Sequence, residues 1–308
     1  MYIQLRKQYS KVINGLFLFG LLISDCTFSA SYTTEDAERF SGLFLNSKAL
    51  SPQLLKSRYL NHDTPGLRIF KARIKNEQSL AQAVDKHNKL YERAINVCLP
   101  AALDVSDQAN DIIEQVGAYL GTANDIPVSI IFAANNTGGT ANAGGIALAL
   151  EVICQQAETP EQAREVILSY IAHETVHVFQ YRLSKRKDFN FTLLELSLIE
   201  GAADFIANEA TGHGDILEMD RSHYGKLHEA RLWAEFSPVM NQMKYAPWMY
   251  SVPEDGRPND LGYWVGKQIA AAYVRQSQNK ASALHKLLVL EDAVEIVEES
   301  GYNPKQLK

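Results

Sequence analysis

The chain has 308 residues, 46% of them hydrophobic and 21% charged, with a formal net charge of −6 and three cysteines. That balance is ordinary for a globular protein, and the length suffices for an enclosed site within a substantial core. The negative charge and the lack of any long Lys/Arg run argue against nucleic acid or anionic lipid as a partner.

At the N-terminus, Arg6, Lys7 and Lys11 lead into the apolar run VINGLFLFGLLIS, followed by the small residues of TFSAS. This is the layout of a secretory signal, with cleavage expected near Ser29 or Ser31. The run is short for a membrane span. A retained anchor is the lesser alternative, and no stable span is expected after signal removal. Cys26 suggests lipid attachment, but Asp25 before it suits that processing poorly. An exported protein is therefore expected. Its remaining cysteines, Cys98 and Cys154, can bridge in an oxidising compartment or stay as buried thiols; the sequence leaves both open.

Beyond the signal, Thr33-Thr34 and the acidic residues after them predict a helix over 34–46. Further helices are expected over 78–97 and 104–120, interrupted at Pro100. Asp125-Ile126-Pro127 turns the chain into the β-rich run VSIIFAA. The loop NNTGGTANAGG and a second apolar run, IALALEVI, follow, so two neighbouring strands are expected. Thr159-Pro160-Glu161 starts a helix predicted to end near Leu183. The next helix ends at Gly212, and others are predicted over 221–243, 259–277 and 280–299. Helices flanking a small sheet, without regular alternation, define an α+β class, mainly helical. The expected division is a signal over 1–30, a mainly helical N-terminal part over 31–122 and a catalytic domain over 123–308.

Within the helix from Pro160 lies His173-Glu174-Thr175-Val176-His177. Histidines four apart stack on one helical face and can present two ring nitrogens to one Zn2+. Glu174 lies about 100° round the helix, poorly placed to ligate but able to take a proton from water at the metal. Ile167, Ile171 and Phe179 make the helix a buried one, and buried stacked histidines need partners. The metzincin continuation of the motif is excluded, because Gln180 and Leu183 stand where it needs glycine and histidine. A glutamate on the following helix remains as third ligand. Glu200 in LIEGAADF is preferred over Glu195, with Asp204 one turn on to orient a ligand histidine. Gly201, Ala202 and Ala203 are small enough to let the two zinc-bearing helices approach closely.

HETVHVFQ followed by EGAAD resembles the gluzincin metallopeptidases, which pair H-E-x-x-H with E-x-x-x-D or E-G-x-A. NTGGTANAGGIALALE and RPNDLGYWVGKQIAAAY look like a bacterial family of predicted Zn-dependent proteases, a domain of unknown function. The resemblance implies a zincin-like fold with a small sheet packed on the active-site helix, and a peptide or protein substrate. It implies that the strand before that helix, Ile146, Ala147, Leu148 and Ala149, is an exposed edge for substrate. It also implies that Tyr263, in a Y-x-x-G pattern, stabilises the tetrahedral intermediate, with His213, His223 and His228 as rivals. The aminopeptidase motif that binds a free α-amino group is missing, so an exopeptidase is not supported. The expectation is thus an exported zinc metallopeptidase, to be weighed against a zinc hydrolase for another amide or ester and a non-catalytic zinc-binding envelope protein.

Overall fold

A computed structural model describes residues 31–122, 125–184, 190–213 and 215–305. The predicted signal and Cys26 lie outside the described residues. The N-terminal part is a series of short helices: α1 (Glu35–Asn46), α2 (Pro52–Arg58), α3 (Pro65–Ile74), α4 (Glu77–Lys86), α5 (Asn88–Arg93), α6 (Leu99–Leu103) and α7 (Ser106–Tyr119). Ser51, Thr64 and Asn76 cap α2, α3 and α4 with side-chain oxygens on free backbone N–H groups. The helix expected over 78–97 is broken at His87 and becomes a wide turn over Ala94–Cys98.

One mixed sheet holds β1 (Tyr32–Thr33), β2 (Val128–Ile131), β3 (Gly139–Asn142) and β4 (Gly145–Ala149) in the order β1-β2-β4-β3. β2 runs parallel to β1 and β4, while β3 and β4 form an antiparallel hairpin. This corrects the expected edge strand. Ile146, Ala147, Leu148 and Ala149 are paired on both sides and fully buried. The edge is Gly139–Asn142, inside the segment expected to be a loop. A strand buried on both faces is continuously apolar, as β4 is; the small, polar GTAN sequence gave no such signal.

After the short α8 (Leu150–Ile153), Thr159 caps α9 (Pro160–Leu183), whose bounds match the expectation. Thr192 and Glu195 form a reciprocal capping box at the start of α10 (Leu193–Thr211), and Gly212 closes it in a left-handed conformation. The remainder is α11 (Asp215–Phe236), α12 (Leu261–Gln276), α13 (Lys280–Val289) and α14 (Ala293–Ser300). The last two were expected as one helix, but Leu290 takes a left-handed conformation and ends α13. No described helix is long and apolar enough to cross a membrane.

One hydrophobic cluster runs from Ala37 to Ile296. Its N-terminal aromatics hold the turn that leaves β2. Phe40 stacks on Phe132, Tyr59 donates its hydroxyl to Phe132 O and accepts from Phe132 N, and Tyr91 donates to Ala133 O. Glu151 accepts from Ala133 N and Asn135 N; burial raises its carboxyl to about 7, against the pull of those two donors. The turn so fixed delivers β3 to the face of α9. Cys98 and Cys154 are joined by a disulfide, with Cα atoms 6.0 Å apart.

Candidate metal centre

α9 brings His173 and His177 onto one face, and α10 crosses it to bring Glu200 against them. The three side chains are 11%, 12% and 14% exposed, within reach of solvent. His173 Nε2 and His177 Nε2 lie 2.9 Å apart, and Glu200 Oε2 is 3.1 Å from His177 Nε2 and 3.4 Å from His173 Nε2. These bracket the edge of a zinc tetrahedron, about 3.3 Å for ligands about 2.0–2.1 Å from the metal.

The other ring nitrogens are already committed. Asp204 Oδ1 accepts from His173 Nδ1 at 2.7 Å, and Gln180 Oε1 accepts from His177 Nδ1 at 2.6 Å. Gln180 cannot flip without loss, because its Nε2 donates to Ile199 O at 2.9 Å. Both imidazoles therefore turn Nε2 lone pairs toward each other and toward a carboxylate oxygen. Such a trio has the layout of a group able to hold a cation. A proton relieves one of the three contacts at a time, whereas a divalent ion relieves all three. The donor set, two imidazoles and a carboxylate, suits zinc.

Electrostatics point the same way. Burial disfavours a charged His173 or His177, yet hydrogen bonds donated to the Asp204 and Glu200 carboxylates raise the first and the charge of Glu200 raises the second. Burial also opposes ionisation of Glu200 and Asp204. The histidines nevertheless hold Glu200 far below the usual carboxylate range, and His173, with Arg221, lowers Asp204. Arg221 Nη2 is 3.4 Å from Asp204 Oδ2.

Glu174 is buried, with its carboxyl raised by burial against the lowering influence of both histidines. It lies against the edge strand, and a Cβ on Gly139 would run into its Oε1. The Tyr263 ring stacks on His173 at 6.4 Å, and Arg221 covers it at 4.8 Å. Burial and nearby carboxylates keep Tyr263 a neutral phenol, a donor. Glu195 is spent on the capping box, accepting from Thr192 N at 2.6 Å. Of the rival histidines, His213 faces Glu165 at 3.5 Å, His228 packs on Tyr224, and His223 lines an open cavity with Met219 and Lys226.

Two residues at the site carried no sequence signal. Gln180 had served only to exclude one motif. Tyr250 sits in the loop before α12, 60% exposed and at φ 56°, with its hydroxyl 3.3 Å from Glu200 Oε1 and its amide held by Asp260 Oδ1.

An α+β scaffold with a His/His/Glu group of zinc-binding geometry defines a candidate zinc protein. The chain belongs to the family described as Predicted Zn-dependent protease (DUF2268), whose family model matches residues 105–296. The match includes every residue of the centre and begins at the start of α7. No curated protein and no solved structure matches the chain.

Proposed function

We propose that the protein is an exported zinc metallopeptidase of the gluzincin type, with a zincin-like catalytic unit. The observation that carries this is the convergence of three side-chain atoms, His173 Nε2, His177 Nε2 and Glu200 Oε2, that one metal ion could satisfy together. His173, His177 and Glu200 would hold Zn2+, while Asp204 and Gln180 fix the two imidazoles. When bound, the metal supplies Lewis acidity toward water and the scissile carbonyl. Glu174 takes the proton of the attacking water and returns it to the leaving amine; its burial, which raises the carboxyl, suits a base that must also act as acid. Tyr263, with Tyr250 beside it, offers a phenolic donor to the oxygen that becomes negative.

The peptide's seat is β3. Antiparallel pairing alternates, and Ala149 N already donates to Gly138 O. Gly139 and Ala141 thus turn their N–H and C=O groups to the open side, where an extended peptide can add as a strand. The disulfide and the apolar N-terminal run support export.

The test is zinc content beside peptide hydrolysis. Wild type should hold about one zinc, and Glu200→Ala should lose it. Glu174→Gln should keep the zinc and lose hydrolysis by roughly 10²–10⁴-fold. Wild type without zinc at neutral pH would end the peptidase reading. Hydrolysis surviving in Glu174→Gln would reassign the base, and a zinc-loaded protein with no hydrolysis of peptides would point to another substrate or to binding.

A further inference from the structure

The loop between α11 and α12 buries two consecutive large side chains and exposes the third. Trp248 and Met249 are buried, whereas Tyr250 is 60% exposed. Met249 is wedged between α10 and α12: its Sδ lies 3.7 Å from Ser197 Oγ, and a Cβ on Gly262 would run into its Cγ. Gly262 N donates to Trp248 O at 2.9 Å. Arg257 lies over the Trp248 ring and pairs with Glu235 of α11 at 2.8 Å. The loop is thus tied to three helices, on both sides of Tyr250. At Tyr250 itself the backbone turns left-handed, with φ 56°. That conformation is unfavourable for a bulky residue, and a mostly exposed side chain gains little from burial to offset it. Two polar contacts hold the residue there. Asp260 Oδ1 accepts from Tyr250 N at 2.7 Å, and the phenol donates to Glu200 Oε1 at 3.3 Å. Glu200 therefore divides its oxygens. Oε2 faces His177 and His173 at 3.1 and 3.4 Å, and Oε1 faces the loop. Among the described residues, Tyr250 is the donor that reaches Oε1.

We propose that Tyr250 is a positioning residue of the metal centre: its phenol holds Glu200 by Oε1 and so makes Glu200 a one-oxygen ligand. The inference rests on the zinc centre proposed above. A free carboxylate can give a cation one oxygen or both. One that accepts a hydrogen bond at Oε1 is turned to offer Oε2 alone. Two imidazoles and a single oxygen leave a position open for water or a substrate carbonyl, which a catalytic site needs and a structural site lacks. Asp204 and Gln180 each fix one ligand ring, and Tyr250 is the corresponding partner of the third ligand. The left-handed turn at Tyr250 is then the means of aiming an exposed loop residue back at Glu200, with Trp248 and Met249 as the anchors that keep the turn in place.

The experiment compares the full chain as wild type, Tyr250→Phe and Tyr250→Ala. Zinc affinity is read by competition with a chromogenic chelator, and coordination by the visible absorption of the protein loaded with Co2+ in place of zinc. Tyr250→Phe should bind zinc about tenfold more weakly, the lower end of what an outer partner carries, because the residue is exposed and its hydrogen bond is long. Its Co2+ band should lose intensity, as the second oxygen of Glu200 joins the ion and raises the coordination number. Tyr250→Ala should match Tyr250→Phe in both readouts, because the hydroxyl and not the ring holds the carboxylate. Melting curves of the metal-free proteins should coincide. A Tyr250→Phe protein with wild-type affinity and a wild-type band overturns the proposal and leaves the zinc centre standing. A weaker affinity with an unchanged band also overturns it, since the phenol would then steady the loop without setting the ligand. Effects confined to Tyr250→Ala do the same by assigning them to the ring. Wild type that takes up neither ion overturns the proposal and the zinc centre together.

Discussion

Gln180 donates its amide to Ile199 O on α10 and thereby presents its oxygen to His177 Nδ1. Asp204 does the same for His173 with a charge instead of a dipole. Both ligand rings are thus locked in the tautomer that leaves Nε2 free, one from α9 itself and one from α10. Outer partners of this kind typically carry a factor of about 10–100 in metal affinity. Gln180→Leu should therefore weaken zinc binding by roughly 10–100-fold, measured by competition with a chromogenic chelator, with the helical content unchanged. Equal affinity would show that His177 needs no outer partner. The pairing of the two histidines in a group able to hold a metal ion was legible in sequence, because a four-residue spacing on a helix is a geometric statement. Asp204 was legible for the same reason, one turn from Glu200. Gln180 was not, since its role depends on a carbonyl of another helix. Tyr250 was not, since a loop has no period from which to infer a direction.

α10 meets α12 more closely than it meets α9. A Cβ on Gly266 would collide with Ser197 O, and one on Gly201 would collide with the backbone of Lys267 and Gly266. The sequence suggested that Gly201 would bring the two zinc-bearing helices together. The structure turns it the other way, to the helix that carries Tyr263. The glycine of the Y-x-x-G pattern is thus the contact point that sets Tyr263 over His173. A methyl group there would have to push one main chain away from another, and overpacking of this sort costs about 1–3 kcal/mol or more. Gly266→Ala should lower thermal stability by that order, seen in a melting curve of the metal-free protein. It should also reduce hydrolysis beyond the loss of folded protein, because Tyr263 and Glu200 flank the shifted contact. A variant as stable and active as wild type would refute the crossing as described. Helix existence was well marked here by capping residues, as at Thr159 and Thr192. Strand order was not: β4 announced itself by its apolar run, while β3 depends on the hairpin partner and on the turn that delivers it.

At the scale of the whole molecule, the family-matched segment starts at Val105, yet the scaffold of the candidate metal centre is assembled from both sides of that boundary. β1 pairs with β2 from the N-terminal part, and Tyr32 donates to Ala102 O. Phe40, Tyr59 and Tyr91 are fully buried, and the two tyrosines hold the backbone at Phe132 and Ala133. Cys98 is tied to Cys154, just before α9. Each large side chain of this kind contributes about 1.5–3 kcal/mol by burial. Phe40, Leu55, Tyr59, Phe70, Leu80 and Tyr91, all fully buried, together reach the size of a typical domain's net stability, about 5–15 kcal/mol. A chain beginning at Val105 would expose their partners Phe132 and Ile131 and leave the turn before β3 with unmet backbone groups. Residues 105–308 alone are therefore expected to show no cooperative unfolding transition and no stoichiometric zinc, although they contain every proposed ligand. The full chain, by contrast, should melt in a single transition that zinc raises. If the shorter chain melts cooperatively and binds zinc as tightly, the N-terminal helices are an accessory to the metal centre, and their hold on the β3 turn contributes nothing to it.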